Sequence, residues 1–204
     1  YGTLVLGFSL IALDGYAKAS WMPEYFVRTH GWSMTEVGLN YGLTYLVFAA
    51  SGALVGGWMG DLLQRRGYTD APLRAAAIGA AISIPFSIFG PLASNEFVSL
   101  ALIGIAMFFS TFPYPLAASA ISALSPNQMR AQAMAFYLLV VNIVGVGLGP
   151  TVTAILTDYV FGNEAYLKYS LATVAAITLP AAFFVLKRGL PAYRNSVSQP
   201  RSER

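Results

Sequence analysis

The chain has 204 residues, of which 56% are hydrophobic and only 10% charged, with a formal net charge of +3 and no cysteine. A soluble domain carries about 25% charged residues, so this chain cannot wrap a water-soluble core and needs lipid as its solvent. The lack of cysteine excludes a disulfide framework, a thiolate metal site and a thiol nucleophile.

Tyr1 lies in an apolar run with no basic region or cleavage site around it, so the start reads as a cut fragment and not as a signal peptide. Crossing about 30 Å of hydrocarbon takes roughly 20 apolar residues. Six runs satisfy this and predict helices over about 3–26, 35–59, 72–92, 97–124, 130–157 and 166–187. Barrel strands would alternate polar and apolar residues, and these runs do not.

The first helix carries Asp14 and Lys18. A charge at membrane depth costs roughly 2.5–3.5 kcal/mol on insertion scales and marks a functional candidate. Their i, i+4 spacing lets them pair and offset each other's desolvation, and Gly7, Ile11, Trp21 and Tyr25 extend the stripe. Two readings stand: Lys18 as an anion-binding group with Asp14 its protonatable partner, or a structural ion pair. The second helix opens on a Ser33/Glu36 capping box, offers Tyr41 and Tyr45 as polar lining, and ends in Gly57, Asp61, Arg65 and Arg66.

The third helix and the sixth have no ionisable residue in their apolar interiors, as expected for lipid-facing helices. The fourth holds Phe108 to Pro115, a predicted break with Phe109 and Tyr114 as candidate substrate contacts. In the fifth, Arg130 and Asn142 precede Gly145, Gly147, Gly149 and Pro150. This run permits close helix contact; it is no nucleotide loop, since no strand precedes it and no Lys follows. From Gly189 the composition predicts a disordered tail over 189–204. Arg65, Arg66, Arg74, Arg130, Lys187, Arg188 and Arg194 fall on one side of a six-span topology, which places that side and the C-terminus in the cytoplasm of a bacterial inner membrane.

The stretch Gly57-Trp58-Met59-Gly60-Asp61 to Arg65-Arg66 resembles the G-x-x-x-D-x-x-G-R-R loop of major facilitator transporters, with Gln64 in place of the family's glycine. Trp21-Met22-Pro23-Glu24-Tyr25, Ser125-Pro126 to Arg130, and Gly149-Pro150 with Asp158 resemble the Spinster-like branch of that superfamily. The resemblance implies an all-α membrane protein, six transmembrane helices as two inverted three-helix repeats, forming the C-terminal half of a twelve-helix fold. It further implies a secondary transporter of an organic solute, such as an organic anion or lipid-like molecule, working by alternating access, either proton-coupled or facilitative.

The substrate or proton site would then draw on Asp14, Lys18, Trp21, Tyr25, Tyr41, Tyr45, Phe109, Tyr114 and Asn142. Gly57, Asp61, Arg65, Arg66 and Arg130 would form the conformational-switch loop. The partners implied are the N-terminal six-helix half, a small organic solute with protons, and the bilayer, with no nucleic acid, cofactor or metal. Two other readings are a self-contained six-span channel or scaffold and an intramembrane hydrolase. The hydrolase needs a nucleophile with a base, or an aspartate pair, at depth; the only histidine, His30, sits in a predicted loop and a second deep aspartate is absent.

Overall fold

A computed structural model describes residues 1–198. The chain runs as α1 (Gly2–His30), α2 (Met34–Arg65), α3 (Ala71–Leu92), α4 (Glu96–Leu124), α5 (Asn127–Phe161) and α6 (Glu164–Ser198). Five of these, α2 to α6, are long and apolar enough to cross a membrane. The sequence predicts six such helices; α1 differs in carrying Asp14 and Lys18 within its apolar stretch.

The ends follow local chemistry. Gly31 takes a left-handed φ of 71° and closes α1, its N–H returning to Val27 O at 3.1 Å. The predicted capping box opens α2: Ser33 N–H donates to Glu36 Oε2 at 2.8 Å and Glu36 N–H to Ser33 Oγ at 3.3 Å. Asn95 caps α4 by accepting from the N–H groups of Phe97 and Val98. Inside α4 the helix breaks at Thr111 and Phe112 and restarts on Pro113, as the proline pattern predicts. Residues Ile143–Leu148 of α5 widen into a π-helix just before Gly149 and Pro150.

The packing has a regular plan. Helices α3 and α6 lie against each other; α1 packs on α5 and α6, and α4 on α2 and α3. The main core fills the junction with Leu4, Phe8, Leu73, Leu116, Leu179 and Leu186. By contrast α2 and α5 are the least buried of the membrane-length helices and expose Leu46, Leu54, Trp58, Leu139, Ile143 and Ile155. Helices α3 and α6 are the most buried within the chain, because small residues such as Ala76, Ala80, Ala175 and Ala182 let them meet closely, while Ile78, Ile82, Phe89, Ile177 and Phe184 on them stay exposed.

Glycines set two further contacts. On α2, Gly52, Gly56 and Gly60 recur every four residues, and a Cβ at Gly56 would fall 2.6 Å from Phe112 Cα of α4. On α5, a Cβ at Gly149 would fall 2.7 Å from Leu13 O, and one at Gly145 2.7 Å from the Tyr16 ring, both on α1. Gly147, expected to share this role, faces open space, and Gly57 has only ordinary contact with Pro115.

The C-terminal segment corrects another expectation. Residues 189–198 continue α6 as helix, because Gly189 packs on Thr3 of α1 and the buried Tyr193 reaches Ala120 O of α4 at 3.4 Å. The remainder of the predicted disordered tail, 199–204, lies outside the described residues.

Candidate functional site

The two intramembrane charges meet. Lys18 Nζ donates to Asp14 Oδ2 at 2.6 Å, with the aspartate side chain 1% and the lysine side chain 7% exposed. Removing both from water is costly, and the short charged contact offsets that cost. It leaves Asp14 Oδ1 buried without a hydrogen-bond partner among the described residues.

Lys18 borders a cavity of about 390 Å³ between α1, α2 and α4. Gly15, Tyr16 and Ala19 of α1 line it with Tyr45 and three alanines, Ala49, Ala50 and Ala53, of α2; α4 supplies Met107, Ser110, Thr111 and Tyr114. Ser110 and Thr111 donate to Met107 O and Phe108 O, within their own helix, so their oxygens face the cavity only as acceptors. The phenols of Tyr16, Tyr45 and Tyr114 make no hydrogen bond among the described residues and remain free to donate. One ammonium and three phenols therefore surround a largely apolar space.

Of the predicted substrate residues, Lys18, Tyr45 and Tyr114 share this cavity, with Asp14 directly behind the lysine. The rest do not. Trp21 donates its indole N–H to Pro150 O at 3.0 Å, pinning α1 to α5. Tyr41 is buried among Phe26 and Tyr45, its hydroxyl without a partner among the described residues. Phe109 packs edge-to-face on Phe108 and at a tilt against Phe112 in the break of α4, and Asn142 is exposed and donates to Leu138 O at 2.7 Å.

Tyr25 belongs to a knot at the far end of α1. Ser99 donates to Gly90 O at 2.8 Å, which commits its only proton. The Tyr25 hydroxyl therefore donates to Ser99 at 2.9 Å and accepts from His30 Nε2–H at 3.0 Å. Trp32, stacked on Phe26, donates to Glu96 at 2.9 Å beside it. His30, read as a loop residue, thus helps tie α1 to the start of α4.

In the proposed switch loop the ion pairing falls on a different acid. Asp61, Arg65 and Arg66 are exposed and form no ion pair among the described residues, and the Nε of Arg130 is buried without a partner. Asp70, just before α3, is fully buried and accepts from Arg194 of α6 at 2.7 Å and from Arg74 at 3.3 Å. Burial raises its carboxyl, but hydrogen bonds from Arg194 and Arg74 and their charges outweigh this and hold it below its ordinary value. Sequence reasoning missed this clamp because it assigned Arg194 to a disordered tail.

A depressed carboxylate contributes stability that is complete above its unfolded value, about 3.9, and is lost only as pH falls through the lower folded value. Asp70→Asn is therefore expected to lower the unfolding temperature of detergent-extracted protein at pH 7. The gap from wild type should be unchanged at pH 5 and shrink only in stronger acid. A gap that closes between pH 7 and 5 contradicts this pairing.

The chain matches the family model of the Major Facilitator Superfamily over residues 4–203. It is 25% identical to the uncharacterised transporter YybO of Bacillus subtilis, over 89% of this chain and 41% of that protein. It is 26% identical to an MFS-type efflux pump of Mycolicibacterium smegmatis, over 88% of this chain and 42% of the pump. A D-galactonate transporter of Escherichia coli is 25% identical, over 87% and 40%. The chain thus spans about two fifths of the length of these curated relatives.

Its fold is similar to that of a bacterial homologue of the human lysosomal transporter Spinster in the inward-facing occupied form, with TM-score 0.67 and 21% identity over 99% of this chain and 50% of that one. For the unoccupied inward-facing form the TM-score is 0.65, with 21% identity over 96% and 47%. With five helices long and apolar enough to cross a membrane and a family match along nearly its whole length, the chain belongs to the Major Facilitator Superfamily, a family of membrane transporters and not of enzymes.

Proposed function

We propose that this chain is the C-terminal half of a secondary transporter that moves an organic solute by alternating access, with the Lys18 cavity as its part of the substrate route. The observation that carries this is the buried Lys18–Asp14 pair opening onto a cavity between α1, α2 and α4. Charge at such depth is retained where it acts on a solute or a proton. One ammonium, free phenols and apolar walls suit an organic anion or lipid-like molecule, and protonation of Asp14 would free Lys18 to hold it.

Two inverted three-helix repeats are supported by the packing plan. Exchanging α1 with α4, α2 with α5 and α3 with α6 leaves the α3–α6 contact in place and maps the α1–α6 and α1–α5 contacts onto α4–α3 and α4–α2, and glycines serve both the α2–α4 and α5–α1 contacts. The exposed apolar faces of α2 and α5 suit an N-terminal six-helix half together with lipid. The chain's coverage of 47–50% of the similar solved structures fits the same reading.

Basic residues on the α2–α3, α4–α5 and C-terminal side support a bacterial inner membrane with the C-terminus in the cytoplasm. A cysteine at Gln64 should then be labelled by an impermeant thiol reagent only from the cytoplasm, and one at Asn163 only from outside, against a chain with no cysteine of its own. Reversed labelling contradicts the orientation.

A further inference from the structure

The ion cluster at Asp70 has a surplus of charge. Arg74 and Arg194 bring two positive charges to the one negative charge of Asp70, and Arg65 and Arg66, with no ion pair among the described residues, stand a few residues before it. Arg74 also lies over the Tyr68 ring, 4.3 Å from its centroid. Beside the cluster is a pocket of about 250 Å³ lined by Gln64, Tyr68, Thr69, Ser119, Tyr193 and Val197. The side-chain amide of Gln64 and the hydroxyls of Tyr68 and Thr69 make no hydrogen bond among the described residues, and all three residues are exposed.

We propose that this pocket binds the phosphate headgroup of an anionic phospholipid. Position commits the occupant to lipid. The loop joins two membrane-length helices, α2 and α3, so it lies at the level of the headgroups. Among the described residues no Lys or Arg lines the pocket itself; the positive charge comes from Arg74, stacked on the lining Tyr68, and Arg194, next to the lining Tyr193, and basic clusters at that level attract anionic lipid. Asp70 is buried and already saturated by its two arginines, so it holds them in place and does not compete for the ligand. The unspent donors of Gln64, Tyr68 and Thr69 suit the acceptor oxygens of a phosphate diester. The headgroup would bridge the α2–α3 loop, α4 and the end of α6, reinforcing the contact that Arg194 makes with Asp70.

Native mass spectrometry of the extracted chain, with phosphatidylglycerol or phosphatidylcholine supplied at equal concentration, tests the site. Phosphatidylglycerol should be retained preferentially. Arg74→Gln, which leaves Asp70 paired with Arg194, should cut that retention about fivefold, the effect of one basic residue near an anionic surface. The double change Gln64→Leu with Thr69→Val touches no ion pair and should also lower it, whereas Arg28→Gln at the opposite end should not. Equal retention of the two lipids, or wild-type retention by both Arg74→Gln and the Gln64/Thr69 double variant, overturns the proposal. Displacement of the lipid by millimolar inorganic phosphate would overturn it in favour of a free-anion site.

Discussion

In the transporter reassembled with an N-terminal half, the proposed function predicts that Lys18→Ala abolishes uptake and destabilises this chain by about 3–5 kcal/mol, the cost of breaking a buried ion pair from one side. Asp14 has its second oxygen buried without a partner, so the loss of Lys18 leaves the whole carboxylate uncompensated. The double change Asp14→Asn with Lys18→Gln removes that uncompensated charge. If Lys18 meets the solute, the double variant regains membrane expression but stays inactive. If the pair only balances its own charge, the double variant is both folded and active. Expression and uptake measured together for the two variants separate these outcomes.

The glycine contacts predict a second large effect. Gly149→Ala would press a Cβ to 2.7 Å from Leu13 O, and Gly56→Ala to 2.6 Å from Phe112 Cα; in both cases the obstacle is backbone, which cannot rotate away. Overpacking of this kind costs about 1–3 kcal/mol. Both variants should unfold at lower temperature than wild type. Gly147→Ala, with nothing within 4 Å, should not. Equal thermal stability across the three variants would contradict the close α1–α5 and α2–α4 packing.

Much of this was legible in the sequence. Apolar length gave the helices, and i, i+4 spacing gave the Asp14–Lys18 pair. What the sequence could not supply was helix rotation. The stripe Gly7, Ile11, Asp14 is buried within the chain, while Gly15, Tyr16 and Ala19 line the cavity, one position round the helix, with Lys18 at the boundary. Tyr16 was missed for that reason, whereas Ser110 and Thr111 lie in the Phe108 to Pro115 stretch already singled out. Only the packing of Gly145 against Tyr16 and of α2 against α4 fixes which side chains turn inward.

The Asp70 clamp was hidden for a different reason. Its partner Arg194 lies 124 residues away, in a segment whose local composition favours disorder. Tertiary contacts of Gly189 and Tyr193 override that composition. The similarity to the facilitator loop directed attention to Asp61, which is exposed, and away from Asp70, which is buried.

The half-transporter reading is tested most directly by solute uptake into proteoliposomes across a panel of organic anions and lipid-like molecules. The chain would be reconstituted alone and together with an N-terminal six-helix half. The account predicts no saturable uptake by the chain alone, and uptake with the partner that is lost on Lys18→Ala; robust saturable uptake by these 204 residues alone would contradict it.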